Sequence, residues 1–444
     1  MLPMAVQQQT MGRIILTDKT DTAVEILHGV RLINPLDGFD GVVDIAVSKQ
    51  SVVWIRKASE EPSGLWLLPG LTDMHVHLRT PGYEDAETLE TGLRAAVAGG
   101  VTAVGMMPNT IPVMDSVHMV LGVRDRGNSL GLSEIKPVPC VTVNREGNTC
   151  TDLESFAREG ITSFSDDGSP VESREALLDA FRRISVFNGV VIEHPEVTRI
   201  AAGGSVNQGI ASTETGEKGI PEQAEFQDVK RCIDVLRTSG TDARLHLTHL
   251  SSPHSIQLVQ NAVEQGLRVT CDVTPHHLAL NQQTVITMGA VAKMNPPLRS
   301  EESRKKVVDM AGKGMVTAIA SDHAPHTADR KEQPLSSAAF GITGLETLLP
   351  VTLDVLGKQT TLSTVDIIKM LTTAPASVLD IPPPEVAAGK PLNMVLFDPQ
   401  LKWNYSYTFS RSKNSPFWGT QLTGKVLRVW FRREIFREGE FVKN

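Results

Sequence analysis

From about residue 67 the chain repeats one pattern eight times: a short run rich in Val and Ile, then a longer amphipathic stretch. The runs are LLPGLTDMHVH (67–77), VTAVGMMPN (101–109), IKPVPCVTV (135–143), ITSFSDD (161–167), GVVIEHP (189–195), ARLHLTHLS (243–251), LRVTCDVTPHH (267–277) and MVTAIASDH (315–323). Such near-continuous apolar runs fit strands buried on both faces, as in a parallel sheet. The stretches between them read as helices. SREALLDAFRRISVFN offers Ser173 as an N-cap and Leu177, Phe181 and Ile184 as an apolar stripe. PEQAEFQDVKRCIDVLRTSG starts on a proline and stops on a glycine, and SPHSIQLVQNAVEQG stops on Gly266. Eight βα units in series predict an α/β fold, a (β/α)8 barrel of TIM type. A doubly wound open sheet is the alternative that periodicity alone leaves standing.

The flanks follow a different rhythm. AVEILHGVRLINP and GVVDIAVSKQSVVWIRK precede the barrel; KPLNMVLFDP and GKVLRVWFRREIFREGE follow it. Alternation broken by Gly and Pro predicts short strands. We expect a small β-sandwich-like domain built from both chain ends, residues 13–66 with 380–444, around a barrel over 67–379. Residues 1–12 read as a disordered lead-in. They lack a basic segment before an apolar core, so no signal peptide is expected. The uncharged run 95–114 is broken by paired glycines, Pro108, Asn109 and Pro112, which argues against a membrane span. Hydrophobic residues make up 41%, enough for a full core, and the net charge of −8 argues against a nucleic-acid binder. Cys140, Cys150, Cys232 and Cys271 show no CxxC spacing and read as reduced thiols of a cytoplasmic protein.

The polar residues collect at the ends of the predicted strands. They are His75 and His77, Asn109, Asp166–Asp167, His194, His246 and His249, and Asp322–His323. Barrel enzymes carry their chemistry at the C-terminal ends of the strands. In HVH, the two-residue step returns both imidazoles to one face of a strand. His246 lies three residues before His249 and would face the other way, as a structural residue. Four histidines and two aspartates from these ends exceed one tetrahedral site. They suffice for two metals of the zinc class sharing a bridging carboxylate and hydroxide. That centre implies metal-assisted hydrolysis of an amide-like bond. Asp322 would take the proton of the attacking water and pass it to the leaving nitrogen.

PGLTDMHVHLRTPG, GGVTAVGMMPNT, FSDDG, HLTHLSS, DVTPHHL, MNPPLR, ASDHAPHT and FGITGLET together resemble dihydroorotases of the amidohydrolase superfamily, nearest the bacterial type I branch. The resemblance runs from about residue 60 to SKNSPF. It implies a zinc-dependent cyclic amide hydrolase of pyrimidine biosynthesis that interconverts (S)-dihydroorotate and N-carbamoyl-L-aspartate through a metal-bridged hydroxide. It implies two zinc ions, with other divalent metals accepted: His75, His77, Asp167 and Asp322 on the first, Asp167, His194 and His249 on the second, and Asp167 bridging. Asp322 becomes the catalytic acid and base. Arg79 and Asn109 would bind the substrate carboxylate; Asn295, His326 and the backbone around Phe340–Gly341 would complete the pocket. Relatives of this branch form homodimers or assemble with aspartate transcarbamoylase, and both are carried as expectations.

Arg79 has a warrant of its own. A guanidinium matches a planar carboxylate with two parallel hydrogen bonds, and dihydroorotate carries a carboxylate that hydantoin and dihydrouracil lack. FSDDG offers aspartate where many relatives bridge their metals with a carboxylated lysine. The step of 27 residues from Asp167 to His194 fits the family pattern and selects Asp167, leaving Asp166 to support it. His276 and His277 are read as pocket-lining or structural, His323 as a support for Asp322, and His28, His118 and His254 as surface or helix residues. Thr80, Ala339 and Asn393 stand where the family commonly has glutamate, proline and aspartate. The polar stretch 327–341 is expected to be a mobile loop that closes on substrate. The competing readings are a hydantoinase or allantoinase, against which Arg79, Asn109 and the missing lysine count, and an inactive partner of aspartate transcarbamoylase, against which the six retained ligands count.

Overall fold

Four strands precede the barrel in the computed structural model, which describes residues 24–442, and the first three are β1 (Glu25–Asn34), β2 (Phe39–Val47) and β3 (Val52–Lys57). The lead-in read over 1–12, and residues 13–23 of the flanking region, lie outside the described residues. The apolar run expected as one strand over 67–77 is two, β4 (Trp66–Pro69) and β5 (Leu71–Val76). β4 pairs with β1, whereas β5 opens the barrel. The break falls on Gly70, where a Cβ would lie 2.0 Å from Asn393 Oδ1 and 2.1 Å from Thr102 Oγ1. The chain passes from one sheet to the other through a gap that no side chain fits. Gly70→Ala is therefore expected to destabilise the protein by about 1–3 kcal/mol through overpacking. A urea titration would show it as a lower midpoint at unchanged slope; an unmoved midpoint refutes the steric account.

The barrel strands are β5, β6 (Val101–Met106), β7 (Glu134–Pro137), β8 (Ser163–Phe164) and β9 (Val190–Glu193). A short pair, β10 (Val206–Asn207) and β11 (Gly219–Ile220), forms a separate ribbon. Then come β12 (Arg244–Leu247), β13 (Val269–Val273) and β14 (Ala318–Ile319). Two parallel sheets result, ordered β5-β6-β7 and β14-β13-β12-β9-β8. Ser165 N–H donates to Pro139 O at 2.9 Å across the first gap. His77 N–H donates to His323 O at 2.9 Å across the second. An open sheet would have two free edges; here the edges meet, and the fold is the expected barrel. Ser173 caps the helix Arg174–Ile184 by accepting from Ala176 N–H at 3.2 Å, and Leu177, Phe181 and Ile184 are buried. The helix Gln223–Ser239 stops at Gly240, at φ +66°, the left-handed C-cap conformation.

β15 (Asn393–Asn404), β16 (Gln421–Phe431), β17 (Arg433–Arg437) and β18 (Glu440–Phe441) complete the small sheet, in the order β18-β17-β16-β15-β4-β1-β2-β3. The sheet curls until β3 meets the approach to β15: Val52 N–H donates to Lys390 O at 3.0 Å and Leu392 N–H to Gln50 O at 3.0 Å. Leu32, Ile45, Leu67, Met394 and Trp430 fill the inside of the curl. No helix among the described residues is long and apolar enough to cross a membrane.

Candidate active site

The ends of five barrel strands bring six side chains together. His75 lies on β5 and His77 just beyond it; Asp167, His194, His249 and Asp322 follow β8, β9, β12 and β14. All six are buried. His75 Nε2 lies 3.3 Å from Asp167 Oδ1 and 3.6 Å from Asp322 Oδ1. His77 Nε2 lies 3.2 Å from Asp322 Oδ1 and 3.6 Å from Asp167 Oδ2. His194 Nδ1 and His249 Nε2 face each other at 2.9 Å, with Asp167 Oδ1 at 3.6 and 3.7 Å. His249 and Asp322 hold left-handed backbone angles, φ +40° and +45°, which cost energy in residues other than glycine and collect at functional sites.

Neighbours fix how these rings point. Thr248 Oγ1 donates to Asp272 Oδ2 at 2.8 Å, so it accepts from His75 Nδ1, also at 2.8 Å. His77 Nδ1–H donates to Asn109 Oδ1 at 2.7 Å. In both rings these partners fix a proton on Nδ1 and turn Nε2 toward the carboxylates. Asp272 also accepts from the His249 backbone N–H at 2.8 Å, so one carboxylate steadies two of the six residues.

The cluster suits cations. His75 Nε2 and Asp167 Oδ1 are buried and have no hydrogen-bond partner. Burial pulls the His75 imidazole down in pKa, yet Asp167 and Asp322 hold it up at about 9: the carboxylates call for positive charge. The ligand atoms of His75, His77 and Asp322 lie within 4.8 Å of one another, as do those of His75, Asp167 and His249. Imidazole and carboxylate are the donors that zinc and its neighbours accept.

Beside the cluster lies a cavity of about 180 Å³. Five of the six residues line it, His75 excepted; so do Arg79, Asn109, Asn295, His326, Phe340 and Gly341. Arg79 Nε–H donates to Pro325 O at 3.0 Å. No carboxylate among the described residues pairs with Arg79, and burial draws its guanidinium down to about 10. Asn109 spends its carbonyl on His77 and one N–H on Asp167 Oδ2 at 3.5 Å, which leaves its second N–H for the cavity. Asn295 donates to Glu196 at 3.0 Å, and its own carbonyl is buried without a partner. His326 Nε2–H donates to Phe340 O at 2.7 Å; burial and the charge of Arg79 hold this ring neutral, at about 3.

Asp166 turns away to Thr142, whose N–H donates to it at 3.1 Å. His246 packs against Asp272 at 2.8 Å, on the oxygen that also accepts from Thr248, and does not line the cavity. His277 is held between Thr274 Oγ1 and Pro296 O at 2.8 and 2.9 Å, and neither it nor His276 lines the cavity. His323 lies 3.3 Å from Glu87. Asn393 accepts from Thr102 at 2.8 Å, and Ala339 N–H donates to Arg330 O at 3.1 Å, a bond that proline would lack. Sequence reading passed over Thr248, Asp272, Ala324, Arg145 and Asn414. Arg145 donates to the carbonyl of Asp167, and Asn414 accepts from His326 N–H at 3.0 Å. Of these, Asp272 carried a signal: it sits near the end of an apolar run, as the ligands do.

A family model described as Dihydro-orotase-like matches residues 64–255. A dihydroorotase of Anaplasma phagocytophilum is 42% identical over 369 residues, covering 83% of this chain and 82% of that protein. One of Syntrophotalea carbinolica is 35% identical over 406 residues, covering 89% and 95%. Among solved structures, an L-hydantoinase (dihydropyrimidinase) from Arthrobacter aurescens superposes with a TM-score of 0.81 at 23% identity, over 94% of this chain and 97% of that one. The structural likeness carries the architecture, a barrel with a small β domain.

Proposed function

The chain belongs to the dihydroorotase family, and from that premise we propose how its own residues carry the reversible hydrolysis of L-dihydroorotate to N-carbamoyl-L-aspartate. The observation that supports this substrate is Arg79. A guanidinium without an acidic partner among the described residues lines the same cavity as the His/Asp cluster. A substrate carboxylate supplies the missing charge and accepts two parallel N–H bonds. The Asn109 NH2 group adds a third donor. Asn295, His326 and the Phe340–Gly341 backbone close the wall around the ring. Hydantoin, dihydrouracil and allantoin offer Arg79 no carboxylate, which weighs against the reading as a hydantoinase or allantoinase.

His75, His77, Asp167 and Asp322 would hold one divalent cation, and Asp167, His194 and His249 a second, with Asp167 shared and zinc the proposed metal. Such a pair, when bound, makes water acidic enough to yield hydroxide near neutral pH and polarises the amide carbonyl. Asp322 does the proton work. It accepts the proton of water as oxygen adds to the ring carbonyl, then gives it to the nitrogen as the C–N bond breaks. The carboxylate ends as it began, and the reverse sequence closes the ring. Four free thiols fit a reducing, cytoplasmic setting. The homodimer and the assembly with aspartate transcarbamoylase rest on family membership alone.

The test is a panel. Zinc-replete protein is expected to open L-dihydroorotate with a kcat/KM at least about a hundredfold above hydantoin, dihydrouracil and allantoin. A chelator should abolish the activity and added zinc restore it, with two metals per chain by elemental analysis. A neutral ring opened as fast as the acid overturns the substrate; activity that survives metal removal overturns the chemistry.

A further inference from the structure

Two lysines lie buried behind one wall of the cavity. Lys293 is 2% exposed and Lys331 4%, and neither forms an ion pair with a carboxylate among the described residues. A buried ammonium without a counter-charge is costly. Burial lowers the Lys331 amine to about 7, and the neighbouring charge of Lys293 adds to the effect. A fold that keeps such a group needs it for something.

The geometry says what for. Lys331 ends the short helix Ala328–Lys331, inside the polar stretch expected to be mobile. Its Nζ donates to Lys293 O at 3.0 Å, Ala339 O at 2.9 Å and Gly341 O at 3.0 Å. That uses all three N–H bonds of an ammonium. Ala339 and Gly341 flank Phe340 in the cavity wall, and Lys293 lies two residues before Asn295. Gly341 N–H also donates to Lys293 O at 3.0 Å, and the ammonium of Lys293 sits 4.2 Å over the Phe340 ring. The stretch 327–341 is thus clasped to the segment leading into Asn295 through two cations and backbone carbonyls: Lys331 grips the carbonyls around Phe340, and Lys293 Nζ donates to those of Leu335 and, at 3.4 Å, Ser336.

We propose that Lys331 is a positioning residue for substrate binding: by gripping the carbonyls of Lys293, Ala339 and Gly341, it holds the Phe340–Gly341 backbone as the wall against which the substrate seats. The inference rests on the substrate reading above. It assigns Lys331 no part in the chemistry. Methionine keeps the length of the side chain and loses every donor. Arginine spreads its donors in a plane and cannot converge three of them on one point.

In zinc-replete Lys331→Met, KM for L-dihydroorotate is expected to rise about tenfold or more, with kcat within about threefold of wild type and metal content unchanged. If that variant does not fold, Lys331→Cys alkylated with 2-bromoethylamine, beside treated wild type, rebuilds the amine and is expected to bring KM back. An unchanged KM in Lys331→Met overturns the proposal. So does a joint loss of kcat, substrate affinity and melting temperature that the rebuilt amine does not reverse, since that marks a structural role only. Wild-type protein run beside the variants separates the two readings: if it opens L-dihydroorotate while Lys331→Met keeps its KM, only the role of Lys331 falls.

Discussion

Asp322→Asn is expected to lower kcat by at least about a thousandfold, within the range that positioned general acids and bases contribute. Burial pushes the Asp322 carboxyl up in pKa, but His77, His75 and His249 more than offset it and hold the group well below the usual carboxylate range. The side chain is therefore ionised, with carboxylate oxygens that can accept a proton. Asparagine has nearly the same shape and accepts none. The substitution also removes a negative charge 3.2 Å from His77 Nε2 and 3.6 Å from His75 Nε2. Metal content must accordingly be measured with the rate. A slow variant with full metal locates the loss in proton transfer, and a slow, metal-poor one locates it in the cluster. A variant that keeps its metal and more than a tenth of its rate would refute the role of Asp322.

Arg79→Met is expected to cut kcat/KM for L-dihydroorotate by roughly 30- to 5,000-fold, the equivalent of about 2–5 kcal/mol for breaking a buried charge pair. The effect should be selective. The neutral rings never used the guanidinium, so their poor rates should change little and the preference for the acid should collapse. Arg79→Lys should fall between, because an ammonium supplies charge without the two-pronged geometry. The distinguishing measurement is the ratio of kcat/KM for L-dihydroorotate to that for dihydrouracil. A ratio unchanged in Arg79→Met would mean that another group reads the carboxylate.

Much of the fold was legible because the physics that builds a barrel leaves local marks. Strands buried on both faces read as unbroken apolar runs, and each polar residue that ends one is conspicuous. Periodicity could not show that Gly70 divides the first run, since Leu67–Pro69 and Leu71–Val76 are both buried strand, and the close packing of Asn393 and Thr102 at Gly70 leaves no local mark. The six clustered residues were legible by type and position. Their supports were less so. Thr248 and Asp272 meet because β12 and β13 run in register, with His246 opposite Thr270 and Leu247 opposite Cys271. Nothing local announces that alignment. Lys331 was missed for a different reason: its partners are backbone carbonyls, which every residue has, so its burial leaves no trace in the sequence.

The small sheet also sets a schedule. β4 takes its antiparallel partner from residues 394–397, made more than three hundred residues after it. At ~5–20 residues per second, β4 waits on the order of half a minute for that neighbour. Throughout this interval one edge of β4 lacks its strand, and Leu67 lacks the Met394 and Trp430 that cover it in the finished protein. The barrel is nearly all synthesised before the sheet that precedes it can close, so the first-made strands are among the last to be completed. An unpaired edge beside an apolar face is the kind of surface on which nascent chains associate wrongly. The period of greatest risk for this protein therefore falls during synthesis, and it ends when β15 arrives.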